Sequence, residues 1–178
     1  MTNKVTGQIF LFVGILSIIL AGIGVIFNHQ VLQLMGAPAN IIGDATDYLN
    51  IIFAGVPFVF AFFIFSALLR GYGDTKTPMK FMVASTLLNI VIDPLLIFGV
   101  GFLPQLGVRG AAYATVFSRA VAGIYGIYLL FKGNKGLKLT WKSLKPDFKV
   151  IKKILVLGFP SAGEQSVVAL GMTVLMSI

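Results

Sequence analysis

Tyr48-Leu-Asn-Ile-Ile-Phe-Ala-Gly-Val-Pro57-Phe-Val-Phe-Ala-Phe-Phe-Ile-Phe-Ser-Ala-Leu-Leu69 carries no charged side chain from end to end. Roughly 20 apolar residues cross the hydrocarbon layer of a bilayer as a helix. Inside that layer a backbone must satisfy its own polar groups, which restricts spanning segments to helices and closed barrels. Pro57 sits within the run and frees the Phe53 carbonyl from its helical bond, a break that neighbours or water re-satisfy in membrane helices. Comparable runs lie at 8–27, 81–103, 108–131 and 154–178. The sequence therefore predicts an all-α membrane protein, a polytopic bundle of about five transmembrane helices. The polar stretch 28–47, with Gly36, Pro38 and Gly43, reads as a loop carrying short helical pieces.

Composition agrees. Of 178 residues, 57% are hydrophobic and 11% charged, and mean hydropathy is +0.95. A soluble domain carries about 25% charged residues. The net charge of +8 would point to nucleic acid in a soluble protein, but no basic groove or known motif accompanies it, so nucleic acid is not an expected partner. The chain has no cysteine, hence no disulfide framework or thiolate metal site. The first run is too long for the apolar region of a signal peptide and lacks a convincing cleavage site.

The cations sit in alternate loops. The 28–47 segment has no Lys or Arg, the next has Arg70, Lys76 and Lys80, and the third has only Arg109. The fourth holds Lys132, Lys135, Lys138, Lys142, Lys145, Lys149, Lys152 and Lys153. Cytoplasmic loops are the basic ones, so the N-terminus and the second and fourth loops are expected in the cytoplasm.

Asp93 is the residue that points to chemistry. An ionisable group within a span costs at least roughly 2.5–3.5 kcal/mol and is a functional candidate by default. Asn89 lies one turn earlier on the same face and Ser85 one turn before that. Pro94 frees the Ile90 carbonyl. A carboxylate, an amide and a free carbonyl are hard oxygen donors, suited to an alkali cation or a proton. The competing reading is a protonated Asp93 that bonds Asn89 and only holds helices together. Glu164 is a possible substrate or proton site, or else a carboxylate near the water interface. Arg119 is expected to pair with an acid or to extend toward the interface. Asn50 and Thr115 suit interhelical hydrogen bonds. His29 alone makes no metal site, and Gly71 and Gly73 lack the context of a nucleotide loop. Phe58, Phe60, Phe62 and Phe63 face lipid, pack in the core, or line an apolar cavity. No nucleophile–base pair or metal cluster suggests an enzyme.

Several motifs together resemble the multidrug and toxic compound extrusion (MATE) family. They are Arg70-Gly-Tyr-Gly-Asp-Thr-Lys-Thr-Pro-Met79 and Asn89-Ile-Val-Ile-Asp-Pro-Leu-Leu-Ile-Phe-Gly99, flanked by Leu34-Met-Gly-Ala-Pro38, Gly107-Val-Arg-Gly-Ala-Ala-Tyr-Ala-Thr115 and Leu157-Gly-Phe-Pro-Ser161. The resemblance implies a two-lobe transporter in a prokaryotic plasma membrane. Such a transporter exports cationic or amphipathic compounds against inflow of Na+ or H+ and has no other cofactor. It also implies that Asn89, Asp93 and Thr115 belong to a cation site that a further aspartate of the family's first helix completes. In this order of motifs the chain resembles the family's third to seventh helices, which leaves the remaining helices as expected partners beside the lipid bilayer. Residues 1–131 then correspond to the end of the first lobe, 132–153 to a basic cytoplasmic linker, and 154–178 to the start of the second lobe. Glu164 lies about one turn earlier than the glutamate some members use in their seventh helix. The alternatives are a truncated fragment without activity of its own, an assembly partner, or a lipid-linked flippase of the same superfold.

Overall fold

The computed structural model describes residues 2–36, 38, 40–99, 104–133 and 139–176. Leu103, Lys135, Lys138 and Ile178 fall outside the described residues. The described chain is helical: α1 (Thr2–Leu34), α2 (Ile42–Gly71), α3 (Lys76–Phe98), α4 (Val108–Lys132), a short 3-10 turn (Trp141–Leu144) and α5 (Phe148–Met176). Among the described residues, α1 to α4 are long and apolar enough to cross a membrane. Side chains such as Ile18, Leu87 and Ile124 are more than half exposed, as a face turned to hydrocarbon requires.

The helices overrun the apolar runs that announce them. The 28–47 segment is not one loop: α1 continues to Leu34 and α2 begins at Ile42. The reason is a polar seam. Asn28 is buried, and its Nδ2 donates to Asn50 Oδ1 at 2.7 Å and, more weakly, to the Thr46 carbonyl at 3.4 Å. Beside it, His29 Nδ1 lies 3.3 Å from Thr46 Oγ1. Pro57 and Pro94 lie inside unbroken helices, as expected of membrane spans.

Packing sets the helices in the order α1, α2, α4, α3. Along the α1–α2 seam Gly24 meets the Phe53 ring and Asn28 meets Asn50, so those helices run antiparallel. Along the α2–α4 seam Gly55 meets Val116, Gly123 meets the Phe58 carbonyl, and Gly126 meets the Phe65 ring. Both sequence numbers rise together, so α2 and α4 are parallel neighbours. Small residues let helix backbones approach where lipid supplies no hydrophobic drive. Ala112 and Ala114 are fully buried on α4. A Cβ added at Gly123 would stand 2.7 Å from the Phe58 carbonyl oxygen, so glycine is what permits this contact.

α3 returns antiparallel along α4. It ends at Gly99, whose φ of 68° is left-handed and whose N–H closes the helix on the Leu95 carbonyl. The chain then turns so that Leu106 N–H donates to the Leu96 carbonyl at 3.0 Å. At the same end Arg109 pairs with Asp47 at the start of α2.

The opposite end holds the core cluster of Phe62, Phe65, Leu69, Ala122, Leu130 and Leu139. Leu139 belongs to the basic segment after α4, yet it is 1% exposed, and its N–H donates to the Leu130 carbonyl at 2.9 Å. The segment is therefore docked rather than extended in water. Gln8, fully buried at the start of α1, holds it. Its Nε2 donates to the Ser143 carbonyl at 2.9 Å and the Lys145 carbonyl at 2.6 Å. Its Oε1 accepts from Asp147 N–H at 2.8 Å. Lys4 Nζ completes the contact on Asp147 Oδ2 at 2.5 Å. That hydrogen bond, aided by the Lys149 and Val150 amides, holds the Asp147 carboxyl below the usual carboxylate range. α5 then starts at Phe148 and packs on α1.

Candidate functional site

Two contacts fix how α3 faces α4. Ser85, 4% exposed, donates through Oγ to the Ser118 carbonyl at 2.9 Å. Gly110 abuts the Leu96 carbonyl, where a Cβ would come within 2.6 Å. Between these anchors the antiparallel register sets Asn89 at about the level of Thr115, and Asp93 about one turn nearer Gly110.

Asn89, Asp93 and Thr115 are all partly buried. Asn89 Nδ2 and Asp93 Oδ1 are each buried without a hydrogen-bond partner. The amide therefore does not donate to the carboxylate, and the pair is not a closed hydrogen-bonded clasp within α3. Leaving such a group unpaired costs about 1–3 kcal/mol, so these two atoms are the ones on α3 with most to gain from a partner. Pro94, one residue after Asp93, has no N–H to offer the Ile90 carbonyl. The donor types on this stretch are carboxylate, amide, hydroxyl and carbonyl oxygens, the set that suits hard cations.

Glu164 stands apart. It is exposed on α5, a helix whose packing is against α1 and not against the α3–α4 pair. No acid among the described residues pairs with Arg119, and its guanidinium lies 5.8 Å over the Phe62 ring. Phe62 is a core residue, whereas Phe58 and Phe63 are exposed. Phe60 and Phe53 line an apolar cavity of about 470 Å³ between α1 and α2.

This arrangement of helices has known counterparts. The sequence profile of the MatE family matches residues 1–95. The chain belongs to this family. The chain is 37% identical over 171 residues to "Probable multidrug resistance protein YoeA" of Bacillus subtilis, a match covering 94% of this chain and 37% of that protein. It is 33% identical over 147 residues to "Multidrug export protein MepA" of Staphylococcus haemolyticus, covering 83% of this chain and 32% of that one. A structure described as the outward-facing conformation of a multidrug resistance MATE family transporter superposes with a TM-score of 0.84 at 30% identity. That superposition covers 96% of this chain and 37% of the other. This MATE chain thus spans about a third of the length of such relatives, and it is an integral membrane protein.

The docked basic segment was missed by sequence reasoning, and Gln8 with it. The available signal was a lone glutamine opening an otherwise apolar run.

Proposed function

We propose that Asn89, Asp93 and Thr115 bind the coupling ion, Na+ or H+, of a MATE antiporter that exports amphipathic or cationic compounds. The supporting observation is the buried, unpartnered Asp93 Oδ1 on the face of α3 that packs on α4. A buried carboxylate oxygen with no donor is open to a cation or a proton, and a ligand bound differently in two states is what couples an ion gradient to a change of state. The membrane-exposed face of α1 to α4 and the relatives' printed names, multidrug resistance and multidrug export, support the export reading. Residues 1–131 serve as part of one lobe and 132–153 as the cytoplasmic connection. Residues 154–178 begin the next lobe, with the N-terminus and both basic loops in the cytoplasm. Glu164, exposed on α5, is available to substrate or to a proton from that second lobe.

The test is dye export by cells or vesicles carrying the whole transporter that contains this chain. Asp93→Asn is expected to abolish gradient-driven export while leaving the protein in the membrane at normal levels. Undiminished export by that variant would sink the coupling assignment. Export driven by a pH gradient without sodium identifies the ion as H+, and a strict sodium requirement identifies it as Na+.

A further inference from the structure

The last turns of α2 hold another buried polar atom with no partner. Ser66 is 4% exposed, and its Oγ makes no hydrogen bond. It lines a cavity of about 250 Å³ together with Phe63, Arg70, Pro78, Met79 and Met82. Met82 is separated from Asp93 by about 16 Å along α3 at 1.5 Å per residue, so this cavity is not the coupling site.

The chemistry of the walls is divided. Ser66 and Arg70 are four residues apart on α2 and share a face. Arg70 is exposed, and no acid among the described residues pairs with it. Lys76 and Lys80 follow on the first turns of α3, both exposed, and the amino end of a helix favours an anion. Against these three cations stands one acid, Asp74, whose Oδ1 is occupied as acceptor from Thr77 N–H at 3.1 Å. The other wall is apolar and opens outward: Phe63, Met79 and Met82 are 55%, 63% and 55% exposed. A hydroxyl donor and a guanidinium at one end of an oily groove call for a ligand with an anionic head and a hydrocarbon tail.

We propose that this cavity binds an anionic phospholipid, its phosphate held by Arg70 and Ser66 and its acyl chain laid along Phe63, Met79 and Met82. The leaflet is the cytoplasmic one if the orientation proposed above holds; the ligand chemistry does not depend on it. A free phosphate leaves the apolar wall unused, and a zwitterionic lipid brings a cation to a site already rich in them.

The experiment is native mass spectrometry of the whole transporter, titrated in detergent with phosphatidylglycerol or with phosphatidylcholine of the same chains. Preferential retention of phosphatidylglycerol is expected. Arg70→Gln should lower it about fivefold, the weight of one basic residue at an anionic surface, and Ser66→Ala should lower it further. Lys132→Gln removes an exposed cation from the end of α4, outside the cavity, and should leave retention unchanged. Equal retention of the two lipids, undiminished binding by Arg70→Gln, or an equal loss in Lys132→Gln would each overturn the site. Displacement of the lipid by millimolar inorganic phosphate would reassign it to a free anion. Arg70 is exposed, so its variant should fold; Ser66→Ala, with its small buried change, gives an independent reading.

Discussion

Replacing Gln8 by leucine keeps roughly the same volume but deletes three hydrogen bonds, to the Ser143 and Lys145 carbonyls and from Asp147 N–H. Ser143 is 6% exposed, so its carbonyl stays dry and takes the larger share of the penalty, about 1–3 kcal/mol for a buried group left unpaired. The Lys145 and Asp147 groups lie nearer water and recover part of theirs. A net loss of about 2–4 kcal/mol in docking follows, which raises the open fraction of residues 139–147 roughly 30- to 1,000-fold at 1.4 kcal/mol per tenfold. Hydrogen exchange of the whole transporter in lipid nanodiscs reads this directly. The amides of Leu139, Ser143 and Asp147 should exchange faster by that factor, while those of α2 and α4 should not change, because local opening is separable from global unfolding. Unchanged exchange across 139–147 would show that Gln8 does not hold the segment. Equal acceleration throughout the bundle would show that it supports the fold in general.

Gly123→Val should lower the melting temperature in detergent, since overpacking a tight contact costs about 1–3 kcal/mol, whereas Gly14→Ala, with no atom within 4 Å of the added Cβ, should be neutral or gain up to about 1 kcal/mol of helix propensity. A double-mutant cycle on Asn28 and Asn50 should give a coupling of about 0.6 kcal/mol, the mean for interhelical hydrogen bonds in a membrane, with about 1.7 as the upper bound; zero coupling would refute the polar seam. Asp147 titrates below the usual carboxylate value in the docked state, so its stabilising contact is complete above that usual value and is lost only as the pH falls through the depressed one. Docking of 139–147, followed by hydrogen exchange corrected for intrinsic rates, should therefore be flat from about pH 5 to 8; a midpoint inside that range would contradict the Lys4–Asp147 assignment.

Spans were legible in the sequence because the bilayer imposes a length and an apolarity that no other environment demands of so short a chain. The interior prolines were legible for the same reason: Pro57 lies in a run without charge and Pro94 in one whose only charged residue is Asp93, and both remain helical. The polar ends were not. Hydropathy counts Asn28 and Asn50 against a helix one at a time, but their cost vanishes when they bond each other across α1 and α2, a pairing that depends on register. Gln8 and Leu139 failed in the same way, since their partners lie far along the chain. Ser85, placed on the Asn89–Asp93 stripe by spacing alone, is buried against α4, while Arg119, expected to pair with an acid or to extend toward the interface, lies over Phe62, an aromatic partner that charge counting does not consider.

The Gln8 contact joins residues separated by 135 to 139 positions, and that bears on how the chain is made. Gln8 precedes α2 in the order of synthesis, but the carbonyls it needs emerge only after all of α4 has been synthesised. Until then the Gln8 amide lacks these three partners. Closure is thus a late step in biogenesis. It becomes possible only once the intervening helices have been threaded into the bilayer in the correct sense, since an inverted helix would carry 139–147 to the wrong side. The clasp acts as a topological checkpoint: it rewards one threading of the chain and withholds its hydrogen bonds from the others.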